Sequence, residues 1–192
     1  MPILGITASS ISGSLSSAPT NSYFPIASFT VPSGGLTTVT FAGIPQTFQH
    51  LQIRWMAKGT TTTSQYTNTT MYYNGDTTGT YRSHYMYGNG ASPLATTSTL
   101  PVMCMVVDDA SGFVPYYSSA IIDIYDYKNP NKYKTARSAY GAATGGTNQA
   151  VVGVNSMMYV SLDPITSIAL NVIGGTTTMW KQFSTFSLYG VN

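Results

Sequence analysis

The sequence predicts an all-β chain: an antiparallel β-sandwich of jelly-roll type, with about 8–11 strands and very little helix. Three observations predict it. Val, Ile, Thr, Tyr, Phe and Trp supply 76 of the 192 residues, so side chains that suit a pleated, half-buried surface dominate. They occur in short runs broken by Gly, Pro, Asn and Ser, the residues of tight turns. No stretch of about ten residues or more carries the i, i+3, i+4, i+7 apolar stripe and the caps of an amphipathic helix, and only the stretch after Thr135 reads either way.

The clearest strand is Leu51 to Lys58, where strict alternation sends Leu51, Ile53, Trp55 and Ala57 inward and Gln52, Arg54 and Lys58 outward. Ten further segments read as strands: Ile26–Val31, Thr37–Phe41, Thr69–Tyr73, Ser83–Tyr87, Pro101–Val107, Ser118–Tyr127, Lys132–Ala139, Ala150–Val154, Ser167–Ile173 and Ser184–Gly190. Between Phe41 and Arg54 the pattern is strand, turn and strand, with Pro45 fixing φ at the bend and Ile44 and Phe48 anchoring its two sides. Asn74-Gly75-Asp76 reads first as a turn, because Asn and Gly tolerate positive φ, and only secondarily as a Ca²⁺ loop that lacks further carboxylates. The Thr-rich stretches Gly59–Ser64 and Gly174–Thr178 read as surface connections.

Charge is scarce. Only 7% of residues are Asp, Glu, Lys or Arg, no glutamate occurs at all, and polarity comes instead from 28 Thr and 22 Ser. A net charge of +2 leaves no electrostatic footprint for nucleic acid. No window approaches the ~18 apolar residues of a spanning helix, and Met1-Pro2-Ile3-Leu4-Gly5 lacks the basic start of a secretory signal, so a protein folded in a cytosol, with neither membrane nor nucleic acid as partner, is expected. Few ions also mean little self-repulsion, and an obligate assembly fits such a surface better than a free enzyme. A homo-oligomer, with a trimer favoured, is the expected state.

Reactive groups are equally sparse. Cys104 lies in the apolar run Val102 to Val107 and reads as a buried, inert thiol. His50, His84 and Cys104 fall short of a four-ligand zinc site, and no metal or cofactor is expected. There is no nucleophile elbow, phosphate-binding loop or dinucleotide fingerprint. A glycosidase would need two facing carboxylates, but adjacent Asp108 and Asp109 point apart on an extended chain, as do Asp123 and Asp126; only pairing from distant strands remains open. The histidines read as structural, no catalytic residue is assigned, and no enzyme activity is expected.

Three features suggest contact surfaces. Lys128, Lys132, Lys134 and Arg137 fall within ten residues, which reads first as an exposed or edge strand guarded by lysines, then as contact with an acidic protein surface, and least as a nucleic-acid patch. Tyrosines cluster at Tyr72-Tyr73, Tyr81, Tyr85, Tyr87 and Tyr116-Tyr117, offering rigid contact area that suits protein interfaces and sugar stacking alike. Residues 1–20 differ from the rest: Ile3, Leu4, Ile6, Ile11 and Leu15 are spaced among Ser and Gly with no charge. They read as an extended arm that docks on a neighbour, or as a frayed terminus or a further strand of the domain, ahead of a single β-sandwich domain over residues 21–192.

As a set, several motifs resemble the small β-rich virion proteins of tailed bacteriophages, common in aquatic and cyanobacterial phages. They are Phe41 to Arg54, Asn74-Gly75-Asp76 with Tyr81-Arg82-Ser83-His84, Ile122-Asp123-Ile124-Tyr125-Asp126-Tyr127 with Asn131 to Thr135, and Phe186 to Val191, joined by the opening Gly5 to Gly13. The similarity runs over nearly the whole chain and implies a virion location. It implies either a capsid decoration, or cement, protein on the major capsid protein, or a tail or tail-fibre module that recognises host surface glycan among other tail proteins. On the first reading the arm (Ile3, Leu4, Ile6, Ile11, Leu15) binds the shell. Tyr85, Tyr87, Tyr116, Tyr117, Lys128, Lys132 and Lys134 are the candidate loop contacts.

Overall fold

In the computed structural model the described residues are 22–62, 64–78, 80–109, 116–142, 150–173 and 178–192. They form twelve strands: β1 (Tyr23–Thr30), β2 (Thr38–Phe41), β3 (His50–Ala57), β4 (Tyr66–Tyr73), β5 (Tyr81–Gly88), β6 (Pro93–Ser98), β7 (Val102–Val107), β8 (Ser118–Tyr125), β9 (Lys134–Ala142), β10 (Val151–Tyr159), β11 (Ile168–Val172) and β12 (Thr185–Val191). Each of the eleven expected segments overlaps one of these strands. The addition is β6, whose Pro-Leu-Ala-Thr-Thr-Ser run lacks alternation because almost all of it is exposed. The expected arm, with Ile3, Leu4, Ile6, Ile11 and Leu15, lies outside the described residues.

The strands make two antiparallel sheets: eight strands in the order β1-β12-β3-β8-β9-β10-β5-β6, and four in the order β2-β11-β4-β7. An all-β sandwich is therefore the architecture; the eight-plus-four division does not by itself establish the jelly-roll variety. The small sheet lies over the inner face of the large one, with β7 crossing β8, β9 and β10. All six β7 residues are buried, Cys104 among them, and burial pushes its thiol far above the usual range.

Alternation builds the core. Leu51, Ile53, Trp55 and Ala57 of β3 meet Ala120, Ile122 and Ile124 of β8, Ala136 and Tyr140 of β9, and Phe186 and Leu188 of β12. Trp180 packs against Trp55 (5.6 Å) and Phe186 (4.8 Å) and donates its indole N–H to the Leu170 carbonyl at 2.9 Å, so this fully buried indole keeps its polar atom paired.

The bend after β2 forms as its residues suggest. Ile44 is buried, and the Pro45 carbonyl accepts the Tyr127 hydroxyl proton. Phe48 stacks on Phe24 at 5.5 Å and lies against Gly190, where a Cβ would fall within the ring. Asn74 (φ 54°) and Gly75 (φ 73°) make the expected turn. The Asn74 side chain then pins the 164–167 segment, donating to the Pro164 carbonyl at 2.9 Å and accepting from the Thr166 amide at 2.8 Å. Asp76 accepts from the hydroxyls of Thr78 and Thr80, bonds that hold its carboxyl down at about 2.

One orientation corrects the sequence reading. Lys58, expected outward, is buried: β3 has ended at Ala57, and the side chain turns in to reach Asp109 at 2.7 Å. Gln52 faces outward as expected but is only 6% exposed, because it bridges Arg54 and Asp123 across the sheet.

Candidate docking face

Only one face of the large sheet is covered by the small one, yet toward the Ala57 end its strands are apolar on both. Register places Ile121 (β8), Ala139 (β9), Val154 (β10), Met86 (β5) and Ala95 (β6) side by side in one row across the outer face. The next row toward the Ala57 end holds Met56, Ser119, Gly141, Val152, Gly88 and Pro93. Val152 is 66% exposed, Met56 and Met86 are each 56%, Val154 is 48% and Ile121 is 46%. Single exposed aliphatics are ordinary, but a contiguous block across five strands marks an interaction surface. Two open depressions of about 600 and 620 Å³ that share Met86, Ala95 and Val154 lie over it, the first reaching His84, Arg137 and Ser156.

A polar row borders this block: Gln52, Asp123, Arg137, Ser156, His84 and Thr97. Much of it is satisfied internally. Gln52 donates to Asp123 at 2.7 Å and accepts from Arg54 at 2.6 Å, while the Arg54 guanidinium sits over the rings of Tyr23 (5.1 Å) and Tyr189 (5.3 Å). That clamp draws the one β3 cation toward β12 and β1 and away from the apolar rows.

The sequence-predicted contact residues are distributed differently. Tyr85 and Tyr87 project from the inner side of β5, half-buried, stacked on each other at 6.3 Å, with Tyr66 edge-on to Tyr87 at 6.4 Å. Burial raises the Tyr87 phenol above its ordinary value. Tyr116 is exposed, whereas the Tyr117 hydroxyl donates to the Gln182 carbonyl at 2.8 Å. These tyrosines stand by the end of the large sheet marked by Ala57, Ser118 and Gly88; the lysine segment is at the opposite end, beside Tyr125 and Thr135, so the structure does not bring the two groups together.

The lysine segment guards no edge, since β9 is an interior strand between β8 and β10. Lys132 is exposed and pairs with Asp126 at 2.7 Å, and Lys128 donates to the Gln46 carbonyl at 3.1 Å. Lys134 is buried and presents nothing to a partner: its ammonium donates to the carbonyls of Asn129 (2.6 Å), Lys132 (3.0 Å) and Leu162 (3.0 Å), knotting the turn before β9. Desolvation lowers its pKa. His50 is structural, accepting the Asp126 amide at Nδ1 (3.0 Å) with its ring edge-on to Tyr125.

A second polar cluster lies where β3 and β7 end. Asp109 takes Lys58 at 2.7 Å and also Lys181. Neighbouring Asp108 points the other way and is fully buried; neither of its oxygens completes a hydrogen bond. Burial drives its carboxyl up to about 6, although the nearby Thr67 hydroxyl and Thr61 amide pull against that rise. Among the described residues no three His, Cys or carboxylate side chains converge as metal ligands would.

The outer face was not singled out from the sequence, yet a signal for it exists. Val151-Val152-Gly153-Val154 and Ile121-Ile122 are apolar at both parities, the mark of strands covered on both sides. No family model matches this chain, and no curated protein or solved structure matches it either.

Proposed function

We propose that this chain is a structural protein of a bacteriophage particle, a capsid decoration protein that docks on the major capsid protein. One observation carries the reading: toward one end of the eight-stranded sheet the strands are apolar on both faces, while the described residues cover only one of them. Burial of the other face by a partner resolves that mismatch. Eight strands about 4.8 Å apart and about 26 Å long present roughly 1,000 Å², which exceeds the ~800 Å² per partner of a standard interface. Its organisation also suits one, with two apolar rows flanked on one side by a polar row of Asp123, Arg137, Ser156 and His84. The low charge and the phage-like motif set support the same reading, and residues 1–15 would supply a second attachment through Ile3, Leu4, Ile6, Ile11 and Leu15.

The test has two measurements. Quantitative mass spectrometry of purified virions should give this chain at parity with the major capsid protein or at a simple fraction of it. Val154→Asp should fold normally but bind stripped shells about 100-fold more weakly, because an unpaired carboxylate at the centre of a dry interface costs about 3 kcal/mol. Unchanged shell occupancy by Val154→Asp would overturn the docking face. A copy number of a few per hundred capsid subunits would overturn the shell location and favour a tail module, with the exposed Tyr116 as the first residue to substitute in a glycan-binding assay.

A further inference from the structure

The two sheets have four edges, and three of them are protected. β1 carries Pro25 and a bulge between Pro25 and Ala27. β2 is only four residues long. β7 is buried over its whole length and bulged against β4 at Thr69/Thr70. β6 has none of these defences. Pro93-Leu94-Ala95-Thr96-Thr97-Ser98 contains no charge, its one proline stands at the first position, and all but Ser98 are exposed. Exposed edges normally carry lysines, prolines or bulges because an open row of N–H and C=O groups invites another strand.

The ladder fixes which β6 groups are open. The Val160 amide donates to the Thr80 carbonyl at 2.8 Å, so even-numbered β5 residues turn their backbone toward β10 and odd-numbered ones toward β6. Ser98, Thr96 and Leu94, paired with Ser83, Tyr85 and Tyr87, therefore bond inward. The amides of Ala95 and Thr97 and the carbonyls of Pro93, Ala95 and Thr97 point away from the sheet. Of these, among the described residues, the Thr97 carbonyl meets only the Thr96 hydroxyl, at 3.5 Å.

We infer that β6 is a self-association seam: it pairs antiparallel with β6 of a second copy of this chain across a two-fold axis normal to the sheet. The occupant follows from the chemistry of the edge. A two-fold axis between the strands sets β6 against its own reversed sequence, so any charge on it would lie close to the same charge on the copy, and β6 carries no charge. Ala95 and Thr97 each offer a donor and an acceptor, which makes the row complementary to itself. The alternative edge of the large sheet, β1, is broken by Pro25 and its bulge. Pairing joins two eight-stranded sheets into one of sixteen and leaves both outer faces on the same side, so the row ending at Met86 and Ala95 continues into its copy.

The experiment uses the purified full-length protein alone, so it succeeds or fails independently of any capsid binding. Sedimentation equilibrium should show a monomer–dimer equilibrium. Hydrogen exchange should show the Ala95 and Thr97 amides slowed about tenfold or more at concentrations where the dimer dominates, with that protection lost on dilution. Thr97→Pro removes one outward donor and leaves the β5–β6 ladder intact, so it should be monomeric with an unchanged circular dichroism spectrum; Thr97→Lys should behave alike through charge repulsion. Amides at 95 and 97 that exchange freely at every concentration would overturn the seam, as would a trimer, which needs two different edges. Protection that disappears on deletion of residues 1–15 would overturn it in favour of the chain's own N-terminal segment as the occupant.

Discussion

Asp108→Asn should stabilise the protein above pH 6, and the size of the effect follows from burial. The carboxyl titrates near 6 when folded against an ordinary value of 3.8, because it is enclosed between β7 and the Gly59–Thr61 segment with no completed hydrogen bond. Between those two values the folded chain holds a proton that the unfolded chain has released, so stability falls as pH rises through the window and the whole penalty is present above pH 6. The interval corresponds to about 3 kcal/mol. Asparagine keeps the shape without the charge, and Lys58 keeps its partner Asp109. At pH 7.5 the variant should melt about 6–12 °C higher than the parent, and the difference should vanish near pH 4. The opposing groups act at lower pH: Asp76, Asp109 and Asp126 are held below the usual carboxylate value, so their contributions are lost only as pH drops further. Calorimetric melting of both proteins from pH 4 to 8 reads the effect. A variant that melts below the parent at pH 7.5 would refute the reasoning and show that ionised Asp108 is held favourably by Lys58.

Two further substitutions probe the framework. Gly190→Ala places a methyl group in the Phe48 ring, and the displacement of Phe48 from Phe24 should lower unfolding stability by about 1–3 kcal/mol, seen as an earlier urea midpoint with an unchanged slope. Lys134→Met fills the same space but leaves the carbonyls of Asn129, Lys132 and Leu162 without their shared donor; a loss of about 1–3 kcal/mol in the same assay is expected.

What could be read from the sequence followed local periodicity. β3 was legible because Leu51, Ile53, Trp55 and Ala57 alternate with polar neighbours over a core that covers one face. The bend at Pro45 and the turn at Asn74-Gly75 were legible because proline and positive-φ residues act on their own backbone. β6 escaped notice because alternation reports one-sided burial, and a strand exposed on both faces has none. Lys58 and Lys134 were misread for a related reason. Lysine is buried so rarely that composition argues against it, and the acceptors that make it tolerable here, Asp109 in one case and three carbonyls from separate segments in the other, converge only after folding. The docking face depends on register among strands distant in sequence, which no single segment contains.

The position of β12 has a consequence for how the chain is made. It lies between β1 and β3, so Ser28 meets Ser187 from 159 residues away, and the large sheet cannot be completed until the ribosome has released almost everything that precedes it. Synthesis at about 5–20 residues per second leaves β1 and β3 waiting for many seconds, far longer than a hairpin needs to form. During that interval β1 has no partner strand in the large sheet and β3 is open along its β12 side. Truncation before Thr185 would leave both edges open permanently, and such products should accumulate as aggregates or in chaperone complexes instead of as partly folded domains.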